Sequence, residues 1–361
     1  MRVALVHDYL TQYGGGERVL EAFCEIWPEA PIYTLVYNEK QTGSAFANRR
    51  VKTSFLQKFP LVKRHHRPFL IMMPWAIEQF DFSQYDLVVS DSASFAKGVI
   101  TRPQTIHLCY CHTPTRYIWD DSHRYIREFN YPSLVKKIIP LFLNYLRLWD
   151  EAASARPDYF IANSYFVASR IKKYYQRETE VIYPPVKAHD FYIARNPKDY
   201  FLIVARFLSY KKIDLAIKVF NQFGWPLKII SDGPEKRKLK KIAGANIEFV
   251  GSVDDKKLKD YYAYCRAFIF PQEEDFGIAA VEAMAAGRPV IAFAGGGALE
   301  IVKENITGLF FNEQTEESLA AVLKKFDSKI FNSQIIRQEA LKFDKEIFKN
   351  KIKEFVKNII K

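Results

Sequence analysis

The sequence predicts an α/β protein built from two open, parallel sheets, one in each half of the chain. Three observations carry this. The 361 residues are about twice the usual size of one domain. The chain opens with an apolar run, a glycine turn and an amphipathic stretch. Its second half alternates short apolar runs with stretches of helical spacing, the pattern of βαβ units.

In chain order, RVALVHDYL reads as a buried strand and Gly14, Gly15 and Gly16 as the turn after it. Val19, Phe23, Ile26 and Trp27 then mark one face of a helix. PIYTLVY, YDLVVSDS, TIHLCYCH and YFIANS predict further strands, each followed by loop-forming or helical sequence. Residues 181–200, VIYPPVKAHDFYIARNPKDY, hold three prolines among mixed polarity and read as a linker. Beyond it, strands are predicted near 201–206, 227–232, 247–251, 267–272, 289–293 and 307–311, with helices in the gaps. The tail repeats Ile347, Ile352, Phe355, Val356 and Ile359 at helical spacing, so it is an amphipathic helix that must dock. The predicted divisions are 1–187 and 188–342, with 343–361 returning as a helix onto the first domain. Ligands of such sheets bind at the carboxyl ends of strands, which makes the post-strand loops the candidate sites.

Composition excludes several classes. Hydrophobic residues at 48% and aromatics at 15% supply two cores and rule out wholesale disorder. The longest apolar stretch, FLIMMPWAI at 69–77, is too short to span a bilayer and contains Pro74. His7 and Asp8 interrupt the N-terminal apolar run before a secretion signal could form, so a cytoplasmic protein is expected. Cys24, Cys109, Cys111 and Cys265 are too scattered for a disulfide framework, and CYCH at 109–112 lacks a second ligand pair at zinc spacing. The net charge of +12 is spread over both halves. Its one concentration is the acid-free interval between Lys40 and Glu78, where Arg49, Arg50, Lys52, Lys58, Lys63, Arg64 and Arg67 interleave with aromatic and aliphatic residues. Residues 49–75 are therefore expected to touch an anionic membrane surface. No nucleic-acid motif accompanies the patch.

The most specific segment is FPQEEDFGIAAVEAMAAGRPVIAFAGGGALEIV, residues 270–302, with seven residues between Glu274 and Glu282 and a second glycine turn before Glu300. Together with GGGERV, CHTPTRYIWD, IANS at 161–164, VARFLSYKK and SDGPE at 231–235, it resembles the retaining family 4 glycosyltransferases of GT-B fold over nearly the whole chain. VHDYL, CYCHTP and EEDFGI are similar to mannosyltransferases of O-antigen and exopolysaccharide assembly. The sequence departs from the family pattern at Lys212 and Ser231, where glycine is usual.

The resemblance implies two Rossmann-like domains facing a cleft, the first binding acceptor and the second a nucleotide sugar. Arg206 and Lys211 fall to the diphosphate, which gains charge as the glycosidic bond breaks and is stabilised by cations already aimed at it. Glu274 follows the strand AFIFPQ and would hold the donor sugar, while Phe276, Gly277 and Ile278 open a helix whose amides suit an anion or hydroxyl. Glu282, two turns along, would accept ribose hydroxyls; Gly15, Gly16 and Asp232 complete the donor set. His112 would contact the donor sugar and, with Arg206, Lys211 and Glu274, forms the expected catalytic group. Asp8, Arg116, Tyr117 and Asp120 are acceptor candidates. Asp120 with Asp121 and Asp254 with Asp255 are adjacent pairs and not a DxD metal motif, so no metal or other cofactor is expected. The implied reaction is metal-independent transfer of mannose from GDP-mannose to a lipid-linked saccharide, with retention, at the cytoplasmic membrane face. A nucleotide-sugar 2-epimerase on the same fold and a non-catalytic nucleotide-binding assembly protein are the alternatives. The sequence gives no oligomeric state.

Overall fold

A computed structural model describes residues 1–64, 67–120, 122 and 133–360. Asp121 of the sequence reading lies outside them. The chain forms two compact units, one of Met1–Tyr183 with Lys349–Lys361 and the other of Pro184–Phe348.

The first unit is built on seven parallel strands in the order β3-β2-β1-β4-β5-β6-β7. These are β1 (Val3–His7), β2 (Ile32–Thr34), β3 (Val51–Thr53), β4 (Leu87–Ser92), β5 (Ile106–Cys111), β6 (Tyr159–Ala162) and β7 (Glu180–Val181). β1 and β4 are buried along their whole length, which is why they read as near-continuous apolar runs and not as alternation. The two edge strands are short, three and two residues, which blunts the exposed hydrogen-bonding edges. Neither was legible in the sequence. β3 lies inside the basic interval, and β7 occupies the start of the stretch read as linker, where Ala162 pairs with Val181. The turn at Gly14 leads into a helix, Gly15–Ile26, that buries Val19, Leu20 and Phe23.

A long helix, Ser133–Ser154, buries Leu143 and Leu146 against Met73, Ala76 and Ile77, with Trp149 packed on the same core. Its outer side exposes Ile138, Leu141, Phe142, Tyr145 and Leu148. Phe59, Leu61, Ile71 and Trp75 are also exposed in the basic interval. Lys58, Lys63 and Arg64 stand exposed beside them; the side chain of Arg67 lies outside the described residues.

The second unit has six parallel strands in the order β10-β9-β8-β11-β12-β13. They are β8 (Phe201–Val204), β9 (Leu227–Ile230), β10 (Ile247–Gly251), β11 (Ala267–Phe270), β12 (Val290–Phe293) and β13 (Gly308–Phe311), each within the stretch where a strand was expected. In both sheets the winding direction reverses beside the first strand, between β1 and β4 and between β8 and β11. Loops leaving those strands in opposite directions open a crevice at their carboxyl ends, the place where this topology binds ligands. The tail helix, Lys345–Ile359, begins in the second unit and belongs to the first from Lys349 onward. There Lys349 pairs with Glu25 at 2.9 Å and Phe355 meets the Tyr159 ring edge-on, while Ile352 and Val356 are buried. Among the described residues no helix is long and apolar enough to cross a membrane. All four cysteines are free and buried.

Candidate active site

Each unit carries a polar cluster at its reversal point. In the first unit, β1 and β4 run side by side with His7 directly opposite Asp91. His7 Nδ1 lies 2.8 Å from Asp91 Oδ2, and His112, one residue past β5, places Nε2 at 2.6 Å from Asp91 Oδ1. Glu17 approaches the other side of His7 at 3.9 Å and accepts the Gly14 amide at 2.8 Å, capping the helix above. A Cβ on Gly16 would sit 3.5 Å from both His112 Nε2 and His7 Cε1, so the start of that helix passes directly over the two rings. Gly15 is exposed at its first turn.

Burial alone would lower the pKa of His7, but hydrogen bonds and charge from Asp91 and Glu17 outweigh it and raise it to about 10. His112 is raised as well: burial opposes the shift, and Asp91 dominates over the repulsion from His7. Burial would raise the Asp91 carboxyl; the two rings hold it low instead.

The acceptor candidates are tied into the unit. Asp8 accepts the amides of Ala93, Phe95 and Ala96 at 2.6 to 2.7 Å, so both carboxylate oxygens anchor the loop after β4. Asp120 pairs with Arg170 at 2.6 Å, and Arg170 also donates to Thr113. Arg116 and Tyr117 are half-buried in the turn between them. That turn is bolted down by Asp150 of the long helix, which accepts Thr115 Oγ1 at 2.7 Å, Trp119 Nε1 at 2.9 Å and Tyr175 Oη at 2.7 Å. Buried Lys97 neutralises it at 2.5 Å.

In the second unit the loops after β8 and β11 meet. Lys211 pairs with Glu274, and Gln272 Nε2 donates to the same Glu274 oxygen at 2.9 Å. Arg206 is exposed on the loop after β8. The Glu274 carbonyl accepts the Gly297 amide at 2.8 Å, so the second glycine turn lies flat against the Glu274 loop. Gly296 has φ +59°, and a Cβ there would lie 2.3 Å from the Glu274 carbonyl oxygen, which is why no side chain fits. Phe276 is buried against Phe343, and Gly277 caps the helix Ile278–Ala285. Glu282 of that helix is 5% exposed and accepts Tyr262 Oη at 2.9 Å, so one of its oxygens is already engaged. Asp232 is exposed; the Lys236 ammonium and the Gly233 amide hold its carboxyl low. Lys212 and Ser231, the two departures from glycine, have φ of +52° and +127°, so the backbone keeps conformations that favour glycine.

His7, Asp91, Glu17, Asp150, Gln272 and Tyr262 were not singled out from the sequence. His7, Asp91 and Gln272 had a signal, being polar residues at or just past the carboxyl ends of apolar strands; Asp150 and Tyr262 sit inside helices and had none. Among the described residues no group of three or more His, Cys, Asp or Glu is arranged to hold a metal ion.

Comparison with known proteins bears on what these clusters serve. The family model described as Glycosyltransferase Family 4 matches residues 13–189, and that described as Glycosyl transferases group 1 matches 187–339. An uncharacterized glycosyltransferase, MJ1178 of Methanocaldococcus jannaschii, is 28% identical over 48% of this chain and half of its own length. The alpha-1,3/1,6-mannosyltransferase ALG2 of Homo sapiens is 22% identical over 70% of this chain and 73% of its own. The O-antigen chain mannosyltransferase RfbU of Salmonella typhimurium is 28% identical over 56% of this chain and 59% of its own. Among solved structures, Anabaena Alr3699/HepE in complex with UDP superposes with a TM-score of 0.74 at 16% identity, covering 99% of this chain and 100% of that one. With the two models meeting at residues 187–189 and running from 13 to 339, and with both sheets matching that fold, the chain belongs to the family 4 glycosyltransferases of GT-B fold.

Proposed function

We propose that the protein transfers mannose from GDP-mannose to a lipid-linked saccharide, with retention of anomeric configuration. The observation that carries this reading is the Lys211–Glu274–Gln272 cluster at the reversal point of the second sheet. A carboxylate and an ammonium that neutralise one another are poised to exchange partners when a sugar diphosphate arrives: the ammonium takes the phosphate and the carboxylate the sugar hydroxyls. Arg206 and Lys211 supply the positive charge that the departing diphosphate needs, work that a metal ion does in other transferases. The departing phosphate oxygen takes the proton of the attacking acceptor hydroxyl on the same face of the sugar, so Glu274 binds and does not attack. Mannose is supported by the names of ALG2 and RfbU.

A lipid-linked acceptor is supported by the first unit's surface. The stretches that expose Phe59, Leu61, Ile71, Trp75 and the outer side of the long helix contain no acidic residue from 40 to 77 or from 133 to 149. Exposed apolar side chains in stretches that carry cations and no acids suit an anionic bilayer, each cation near the surface contributing about 1 kcal/mol. Flotation with anionic liposomes tests this, with Leu141, Tyr145 and Leu148 changed to Ser; unchanged membrane fractions reject it.

The deciding experiment is a thermal-shift panel of GDP-, UDP- and ADP-sugars followed by proton NMR of the transfer product. GDP-mannose is expected to give the largest shift and the product an α-linkage. A larger shift with a UDP-sugar overturns the donor, and an inverted product overturns the mechanism.

A further inference from the structure

The buried cluster of the first unit contains more than His112, the one histidine that the family resemblance assigns to the donor sugar. His112 is its most exposed member, with 15% of its side chain accessible against 7% for His7, 5% for Glu17 and none for Asp91. Its Nε2 is committed to Asp91, and among the described residues Nδ1 has no hydrogen-bond partner. In the neutral ring that nitrogen is an acceptor; in the imidazolium it is a donor. Which of the two a ligand meets depends on the charges around the ring. These are His7 at the end of β1, Asp8 just past it and Asp91 on β4; Glu17 of the capped helix acts on the far side of His7, and the edge-on neighbour on β5 is Tyr110.

Asp8 is already held by three backbone amides; the other two carboxylates, Asp91 and Glu17, are balanced by the two imidazoles only when both rings are protonated. We propose that Asp91 is a positioning residue that joins His7 and His112 into one hydrogen-bonded unit and presents Nδ1–H of His112 as a donor to an oxygen of the bound sugar nucleotide. Glu17 completes the set by balancing His7 from the far side, and its own placement is locked by the Gly14 amide. His112 then acts as an oriented positive charge throughout the reaction and neither takes nor releases a proton. The proposal rests on reading His112 as a donor-sugar contact.

Imidazole NMR titration of the whole protein tests the unit without any substrate. His107, which burial and the charges of Arg156 and Arg177 hold near 3, serves as an internal reference that stays neutral. In the wild type His7 is expected to titrate near 10 and His112 above the ordinary imidazole value. Asp91→Asn should lower the His112 midpoint to the ordinary imidazole value or below it, and the alkaline limb of kcat/KM, measured with the sugar nucleotide from the thermal-shift panel, should fall by a matching interval. His7→Gln should move His112 the opposite way, because the repelling charge is gone while Asp91 remains; this second variant decides the matter if Asp91→Asn does not fold. An unmoved His112 midpoint in Asp91→Asn, or a lowered one in His7→Gln, overturns the unit. A lowered midpoint with an unmoved kcat/KM profile overturns the role of Nδ1–H at the substrate and leaves the transfer reaction standing. Absence of turnover with every sugar nucleotide in the wild type counts against the proposed function, and the titration still decides the unit.

Discussion

Replacing Gly296 by Ala separates backbone conformation from contact at the Glu274 loop. The residue has φ +59°, and the added methyl would meet the Glu274 carbonyl oxygen at 2.3 Å and its carbon at 3.2 Å. An alanine in that backbone region costs about 1 kcal/mol. Relieving the contact requires the Glu274 backbone to retreat by about 1 Å, which breaks the bond from the Gly297 amide, about 1 kcal/mol more, and leaves residual crowding of about 1 kcal/mol. The sum, about 3 kcal/mol, lowers Tm by about 6 to 12 °C for a unit of this size. Because the displaced atoms carry Glu274, turnover should fall about 10²-fold, the usual result of a 1 Å misplacement. Gly224→Ala is the control: it has φ +64° and nothing within 4 Å of the built Cβ. It should lose only about 1 kcal/mol, or about 2 to 4 °C, with turnover unchanged. Differential scanning calorimetry and nucleotide release from the sugar nucleotide read both. Equal Tm losses in the two variants, or turnover in Gly296→Ala within twofold of wild type, would refute the contact argument.

At Ser231 and Lys212, with φ of +127° and +52°, substitution by glycine removes strain of about 1 to 3 kcal/mol and returns about 0.5 to 1 kcal/mol of unfolded-state entropy. Each variant should therefore gain about 1 kcal/mol in chemical denaturation, and a loss in both would show the loops to be unstrained. His7 has a folded pKa of about 10 against an ordinary 6.5, so its contribution to stability is complete below pH 6.5 and is lost as pH rises through about 10. The urea midpoint of His7→Gln should accordingly lie furthest below wild type near pH 6 and converge with it near pH 10; a constant gap would contradict the assignment. Lys97 is 1% exposed and neutralises Asp150, so Lys97→Met should destabilise by about 3 to 5 kcal/mol by leaving a buried charge. The double change Lys97→Met with Asp150→Asn should recover part of that loss, and a fully additive cycle would show that the two are not coupled.

The sequence by itself determined the alternation of strands and helices, and with it two parallel sheets, because apolar periodicity and turn residues are local and survive without tertiary context. It also marked Glu274, Phe276, Gly277, Ile278 and Glu282 as one group, since they lie within nine residues of one loop and helix, and Arg206, which follows closely on the apolar run that forms β8. Only the tertiary structure decided the first unit's cluster. His7 and Asp91 come from β1 and β4 and His112 from just past β5, and nothing in VALVHD or LVVSDS says that β1 and β4 will lie in register with the first two residues opposite. Asp150 looked like any helical acid until packing brought Thr115, Trp119, Tyr175 and Lys97 to it. The same holds for the segment 133–149, which is apolar nearly all round. Which side of it faces outward is settled by burial against Met73, Ala76 and Ile77, a long-range contact whose geometry no local pattern encodes.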